Sequence, residues 1–415
     1  MKKRKWVVSL LALLLVLSLA LLTAACGEEE TTTTAAPATE TTATTAPPAT
    51  ETTATTAAPT TETTVAGVED TGQTWNLKFS YGVPKQASLY SAYLVPWAEA
   101  VTKATDGRVK IEHYADGTLA KDDQQYDALV SGTSDIAMVE PEYATGVFPV
   151  FEVGSLPRLF SDPAVASAVM WDVAQEYCQD ELDEVQLLTV ATISGSQYIG
   201  NKEVKVPADL KGVKMRSGGK VENWTLKELG AEPIDIMLGD LPTSMERGLA
   251  DGALLSWSLI MSSGAKDYTK YRAHLDLMYR PWMVIINKDV WESMPVNIQE
   301  AIMSVSGKDA SIIYSIANEE VTQGARKGLE GADKGKGNPP IYEPTADELA
   351  LWTEAVKPTY QLWVDELASG KSSQAANGQA IIDFIAGKAK EYGSVYEQFK
   401  EKAAAVLATI PKAEH

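Results

Sequence analysis

The chain has 415 residues, with 36 Lys plus Arg against 56 Asp plus Glu and a net charge of −20. A field of that sign repels nucleic acid and anionic lipid headgroups, so no nucleic-acid partner is expected and an anionic ligand must be caught by a specific local cation. Three scattered histidines, His113, His274 and His415, with no G-x-S-x-G, H-E-x-x-H or phosphate-loop motif, leave little for an enzyme, and no cofactor is expected.

The first stretch reads MKKRK, then an apolar run from Trp6 to Leu22, then Thr23-Ala24-Ala25: the n-region, h-region and cleavage site of an export signal over residues 1–25. The run is just short of the ~20 residues a spanning helix needs. Cys26, followed by Gly27, resembles the lipidated cysteine of a bacterial lipobox, with Thr23 where leucine is usual. A chain outside the cytoplasm, held to the membrane by a lipid at Cys26, is therefore expected. Removing Lys2, Lys3, Arg4 and Lys5 with the signal takes the charge from −20 to −24. Residues 26–73 are almost only Thr, Ala, Pro and Glu, with ATETTATTA starting at both Ala38 and Ala49. So little apolar bulk cannot offset ordering entropy, which predicts a disordered tether. Its mean reach is about 35–40 Å.

The 341 residues from Trp75 to His415 suffice for two lobes with cores of their own, and with Cys178 the sole cysteine there, packing holds them. Asn76–Tyr81 alternates as a half-buried strand ended by Gly82-Val83-Pro84. Leu89–Thr105 has helical spacing and closes at Asp106-Gly107. Arg108–Tyr114 is a second strand, Asp122–Ser131 a short helix, and Ser134–Val139 a third, fully buried strand. This alternation predicts a doubly wound α/β lobe, with ligand at the carboxyl ends of its strands. A second series follows: strands at 185–192, 197–201, 213–216 and 251–256, with helices at 223–229 and 241–248. Leu275–Asn287 is a long apolar strand run that crosses back to the first lobe, so that a cleft lies between the two. Helices from Pro295 to about Leu329, at 345–368 and at 376–392 brace the back. Lobe I is expected to comprise 74–193 plus about 282–321, and lobe II 194–281 plus about 322–415.

Between Pro207 and Gly252, Arg216 ends a short strand pattern (VKMR) and is followed by Ser217-Gly218-Gly219 and a helix. A guanidinium beside the N–H groups of a helix N-terminus is a ready carboxylate site. Further motifs surround it: Asp106-Gly107-Arg108, DGTLAKDDQQYDALVSGTSDIAMVEPEY from Asp116, SLPRLF from Ser155, and NKEVKVPADLKGVKMR from Asn201. LGAEP from Leu229, GLADG from Gly248 and AVKPTYQLWVDELASG from Ala355 complete the set. In order and spacing, over Trp75 to Tyr392, these resemble the DctP-type solute-binding subunits of tripartite ATP-independent periplasmic (TRAP) transporters.

That resemblance implies a two-lobed periplasmic-binding-protein-like fold of type II, each lobe a mixed sheet flanked by helices. It further implies closure on a small organic acid and delivery to the membrane subunits of an ion-gradient-driven permease. Arg216 takes the place of the family's carboxylate-pairing arginine, whose planar fork meets both oxygens at once. Two departures stand out. Gly195-Ser196-Gln197 replaces a G-x-R pattern, so Gln197 offers hydrogen bonds without charge and a dicarboxylate is disfavoured. Ala253-Leu254-Leu255-Ser256-Trp257 follows GLADG where many members carry an acid and asparagine, which argues against a metal site and for a more apolar pocket. Position adds Tyr81, Glu140, Tyr143, Trp257 and Trp282 as cleft residues. If Glu140 faces the cleft, the ligand is expected to carry a positive or hydrogen-donating group besides its carboxylate. The binding protein of an ATP-driven importer and a ligand-sensing ectodomain share this architecture and stand as alternatives, with an extracytoplasmic enzyme as a further one.

Overall fold

The computed structural model describes residues 68–408. The export signal, Cys26 and the tether up to residue 67 lie outside the described residues. Beyond them, Asp70 receives both terminal nitrogens of Arg108, at 2.8 and 2.6 Å, and the side-chain amide of Asn297 at 2.7 Å. That fixes the chain where it enters the fold. No helix among the described residues is long and apolar enough to cross a membrane.

Among the described residues ten strands form two five-stranded mixed sheets, as expected of a two-lobed fold. The first sheet contains β1 (Trp75–Ser80), β2 (Val109–Tyr114), β3 (Ile136–Val139), β4 (Val185–Ile193) and β10 (Arg280–Asn287), in the order β2-β1-β3-β10-β4. β1 runs parallel to β2 and β3, while β10 inserts antiparallel between β3 and β4, with Met283 opposite Val139 and Val190. The second sheet contains β5 (Gln197–Gly200), β6 (Lys214–Ser217), β7 (Glu232–Asp235), β8 (Gly252–Leu255) and β9 (Tyr271–Ala273), in the order β7-β6-β8-β5-β9. β6 is parallel to both its neighbours. Its carboxyl end therefore points its last residues, Arg216 and Ser217, out of the sheet toward the other lobe.

The chain crosses between the sheets at residues 194–196 and 274–279. Ser196 and the second crossing exchange backbone bonds, Ser196 N to Met278 O at 2.9 Å and Leu277 N to Ser196 O at 3.0 Å. Leu275–Tyr279, read from sequence as strand, is instead this crossing. Its backbone groups go to Ser196, to Arg158 N (2.7 Å to Leu277 O) and to the Gln197 side chain, which leaves no ladder to extend.

The helix Pro163–Tyr177 has no counterpart in the sequence reading. Asp162 caps it through Ala164 N and Val165 N, Pro163 occupies the first turn, and ten of its residues are buried. Because alanines and valines are covered on several faces at once, no 3.6-residue stripe shows in the sequence. Each valine buried there contributes roughly 1.5–3 kcal/mol. The long helix expected from Pro295 is two, Val296–Met303 and Gly307–Lys336, interrupted at Ser304–Ser306. The second of these packs on the first lobe's β4 and on the second lobe's helix Trp257–Ser262, so it spans both. The expected helix at 345–368 is likewise broken, at Lys357, where Pro358 opens the next helix. These back helices are pinned by two buried tryptophans, Trp352 donating to Lys205 O in the second lobe and Trp363 to Pro149 O in the first, both at 3.1 Å.

Candidate functional site

The turn Ser217-Gly218-Gly219 carries the chain from β6 into the helix Lys220–Glu228, and its two glycines are steric requirements. A Cβ on Gly218 would sit 2.2 Å from Arg216 Nη1, and one on Gly219 would sit 2.2 Å from Glu142 Oε2. Only bare backbone lets a guanidinium from one lobe and a carboxylate from the other approach this closely.

Arg216 is fully buried. Its Nε donates to Ile236 O at 2.9 Å, Nη1 to Glu222 Oε2 at 3.3 Å, and Nη2 to the Tyr143 hydroxyl of the first lobe at 3.1 Å. Arg280, the first residue of β10, lies beside it. Its Nη1 is 3.3 Å from the same Glu222 oxygen and 2.9 Å from Glu140 Oε1. Glu222 Oε2 also accepts from Gly218 N at 2.7 Å, and Val221 N, in the first turn of the helix, donates to Glu142 Oε2 at 2.7 Å. The protein's own carboxylates thus meet the guanidiniums and the helix N-terminus.

Burial dominates the electrostatics here. Burial pushes the Glu140 carboxyl up to about 8, with the nearby Arg280 charge only partly offsetting it. Glu142 is raised for the same reason, although Arg280 and the Val221 N–H favour its anion. Burial alone would weaken the charge on Arg280, but Glu140 and Glu222 outweigh it and hold the pKa above its ordinary value. Both arginines therefore remain cations.

Between the lobes lies a cavity of about 30 Å³, room for a couple of waters, so an organic acid enters only if the lobes part or the walls shift. Arg216, Arg280, Glu140 and Tyr143 form its polar wall, with half-buried Asp122 at the edge. Leu89, Leu238, Leu255, Leu259 and Trp282 form the apolar side. The Trp282 Nε1–H is buried with no partner among the described residues. On the far side Ser88 N donates to Ser258 Oγ at 2.9 Å and Ser88 Oγ to Asn318 Oδ1 at 2.6 Å, a second contact between the lobes.

Of the residues singled out from sequence, Arg216, Glu140, Tyr143 and Trp282 meet at this cavity. Tyr81, Gln197 and Trp257 are buried elsewhere. The Tyr81 hydroxyl bonds His113 Nδ1 at 2.7 Å under the first sheet. Trp257 lies under the Arg326 guanidinium, 5.5 Å from its ring, and next to His274. Gln197 ties the two crossings: Oε1 accepts from Leu275 N (2.8 Å) and Asp276 N (3.2 Å), while Nε2 donates to Gly195 O and Asp276 Oδ1. Arg280 and Glu222 were not anticipated. The signal for Arg280 was a charge between Tyr279 and Pro281-Trp282 in a run otherwise buried on both faces, where a cation needs a partner. Among the described residues no cluster of His, Cys, Asp or Glu is arranged to hold a metal ion.

Residues 79–366, more than half of the chain, match the DctP model of the bacterial extracellular solute-binding proteins, family 7. The C4-dicarboxylate-binding periplasmic protein DctP of Rhodobacter capsulatus is 27% identical over 276 residues, covering 65% of this chain and 80% of that protein. A TRAP solute-binding protein from Rhodoferax ferrireducens T118, crystallised with copurified benzoate, superposes with a TM-score of 0.72 at 25% identity, covering 78% of this chain and all of that one. A TRAP periplasmic solute-binding protein from Bordetella bronchiseptica, holding (R)- and (S)-mandelate, shares the fold with a TM-score of 0.68 at 24% identity, covering 76% of this chain and 99% of that one.

Proposed function

Because the chain belongs to family 7 of the bacterial extracellular solute-binding proteins, we propose that it captures a small organic acid between its lobes and delivers it to the membrane subunits of an ion-gradient-driven TRAP permease. The observation that carries this reading is Arg216, a fully buried guanidinium on the wall of an interlobe cavity. Tyr143 and the Trp282 N–H supply hydrogen-bond donors beside it, and the leucines opposite receive an apolar body. A monocarboxylate with a hydrophobic body suits these walls, and the benzoate of the Rhodoferax protein is such a molecule. A second ligand carboxylate would meet Arg280, whose charge is already shared by Glu140 and Glu222.

Closure follows from the same contacts. Glu142 to Val221 N, Arg216 to Tyr143, and Ser88 to Ser258 all join one lobe to the other, so they form only in the closed state. A ligand that touches both walls stabilises that state by its differential contacts. Lipidation at Cys26, with residues 26–67 as tether, would keep the domain near its permease. A thermal-shift panel of benzoate, mandelate, succinate and pyroglutamate, followed by calorimetry, tests the reading. At least one acid should raise the melting temperature of the wild type, and Arg216→Ala should remove that response; acid binding undiminished in the variant would refute it.

A further inference from the structure

Glu140 follows β3 directly, is 2% exposed and lines the cavity. The charged and titratable groups around it come from every neighbouring element. Glu142 and Tyr143 share its turn, Arg280 comes from β10, and Arg216 and Glu222 come from the second lobe. Asp122 also lines the cavity and feels the Arg216 charge. Inside this closed cluster two guanidiniums face the carboxylates of Glu140, Glu142 and Glu222, with Asp122 also on the cavity lining. A ligand carboxylate adds one more, and an uncompensated charge in a desolvated site is strongly unfavourable. One carboxylate must be neutralised when an acid is sealed in.

The hydrogen bonds identify which. Glu222 accepts from Gly218 N and lies against both arginines, and Glu142 accepts from Val221 N, so each already has N–H partners. Glu140 receives no hydrogen bond among the described residues. Oε1 is close to Arg280 without hydrogen-bond alignment, and Oε2 has no partner. We propose that Glu140 contacts the ligand as a neutral carboxylic acid: on closure one proton passes from solvent to its unpartnered oxygen, and the resulting O–H donates to the bound acid. This rests on the carboxylate-binding function proposed above. It also replaces the expectation drawn from sequence, because Glu140 itself becomes the donor and the ligand needs no cationic group. The raised pKa of the closed state agrees with this assignment.

The sign of the linkage is fixed. Where opening of the lobes lets solvent reach Glu140, it would titrate as an ordinary carboxylate, at about 4.3. In the closed state its pKa is higher, so binding takes up a proton at any pH between the two values. Calorimetric titration of the purified full-length chain with benzoate, in phosphate and in Tris at pH 7, measures the uptake. About one proton per benzoate is expected, with affinity falling up to about tenfold per pH unit between pH 6 and 8. Glu140→Gln should take up none and bind benzoate more tightly than the wild type at pH 8, whereas Glu142→Gln should keep the uptake. Benzoate binding to the wild type without proton uptake, or weaker binding by Glu140→Gln at pH 8, overturns the role of Glu140 and leaves the carboxylate function standing. The wild-type proton count decides the matter even if a variant fails to fold. No response of the wild type to benzoate, mandelate, succinate or pyroglutamate removes the carboxylate function, and the proposal with it.

Discussion

Gly219→Ala separates closure from folding. Gly219 has φ 173° and ψ 171°, extended backbone that any residue adopts, so alanine introduces no strain of its own. Its methyl would, however, lie 2.2 Å from Glu142 Oε2 and 2.9 Å from Glu142 Cβ. The oxygen could swing aside, but Cβ is fixed to the backbone of the other lobe. The clash therefore exists only when the lobes meet, and relieving it breaks the 2.7 Å bond from Val221 N to Glu142. A hydrogen bond to a charged group is worth about 1.5–3 kcal/mol. Charged wholly to the closed state, that loss lowers ligand affinity about 10- to 150-fold. The open protein has nothing to avoid, so the melting temperature without ligand should fall only by what closure contributes there. Calorimetry with benzoate, paired with thermal unfolding without ligand, reads both quantities. Wild-type affinity in Gly219→Ala would mean that the Glu142 contact is no part of the bound state. A large drop in ligand-free melting temperature would mean that the lobes do not separate.

Arg216→Ala removes a guanidinium with three partners, Ile236 O, Glu222 and Tyr143, so affinity for benzoate should fall by about 2–5 kcal/mol, roughly 30-fold or more, by calorimetry. Because it also strands Glu222, the melting temperature should fall too. His274 lies in the second crossing between Asp276 at 3.0 Å and Glu343 at 2.8 Å, with Arg326 nearby, and its pKa is raised chiefly by Asp276. A raised pKa gives stability that is complete below the unfolded value of 6.5 and is lost as pH rises through the folded one. The melting temperature should accordingly decline from pH 6 to pH 9, and His274→Gln should flatten that decline in a pH series of thermal scans. A net charge of −20 opposes an anionic ligand at long range, and screening shortens from about 30 Å at 0.01 M salt to about 10 Å at 0.1 M. Stopped-flow association of benzoate should therefore speed up with salt; slowing would point to a local positive field at the cleft mouth.

What could be read from the sequence follows the range of the interactions. Arg216 was legible because its strand, its turn and its helix are contiguous, and the two glycines after it fit the close approach found in the fold. Arg280 and Glu222 were not, because each is explained only by the other. They are 58 residues apart and meet at 3.3 Å across the lobes. Read locally, Glu222 is an acid in the first turn of a helix, a common surface placement. Gln197 shows the same effect from the other side. Its two amide atoms make four hydrogen bonds, three of them to the crossing at Leu275 and Asp276, nearly 80 residues on, and no local pattern encodes that pairing. The helix Pro163–Tyr177 escaped for a different reason. Amphipathic periodicity reports a boundary with water, and ten of its fifteen residues have none.

The arginines explain why closure and capture belong together. A buried guanidinium with no counter-charge would be untenable in the empty protein, so Glu222 bridges both and Glu140 stands beside Arg280. In the closed form this keeps the cations aimed at the cavity. It also means that a ligand carboxylate competes with carboxylates already present. Glu222 cannot withdraw, being tied to Gly218 N and to both arginines. Glu140 accepts no N–H or O–H, so neutralising it sacrifices the fewest contacts. A site built this way responds to the charge of its ligand as well as to its shape. An uncharged analogue such as benzamide still buries Glu140 when the lobes close but leaves Arg216 without the partner its geometry favours, so it should bind more weakly than benzoate.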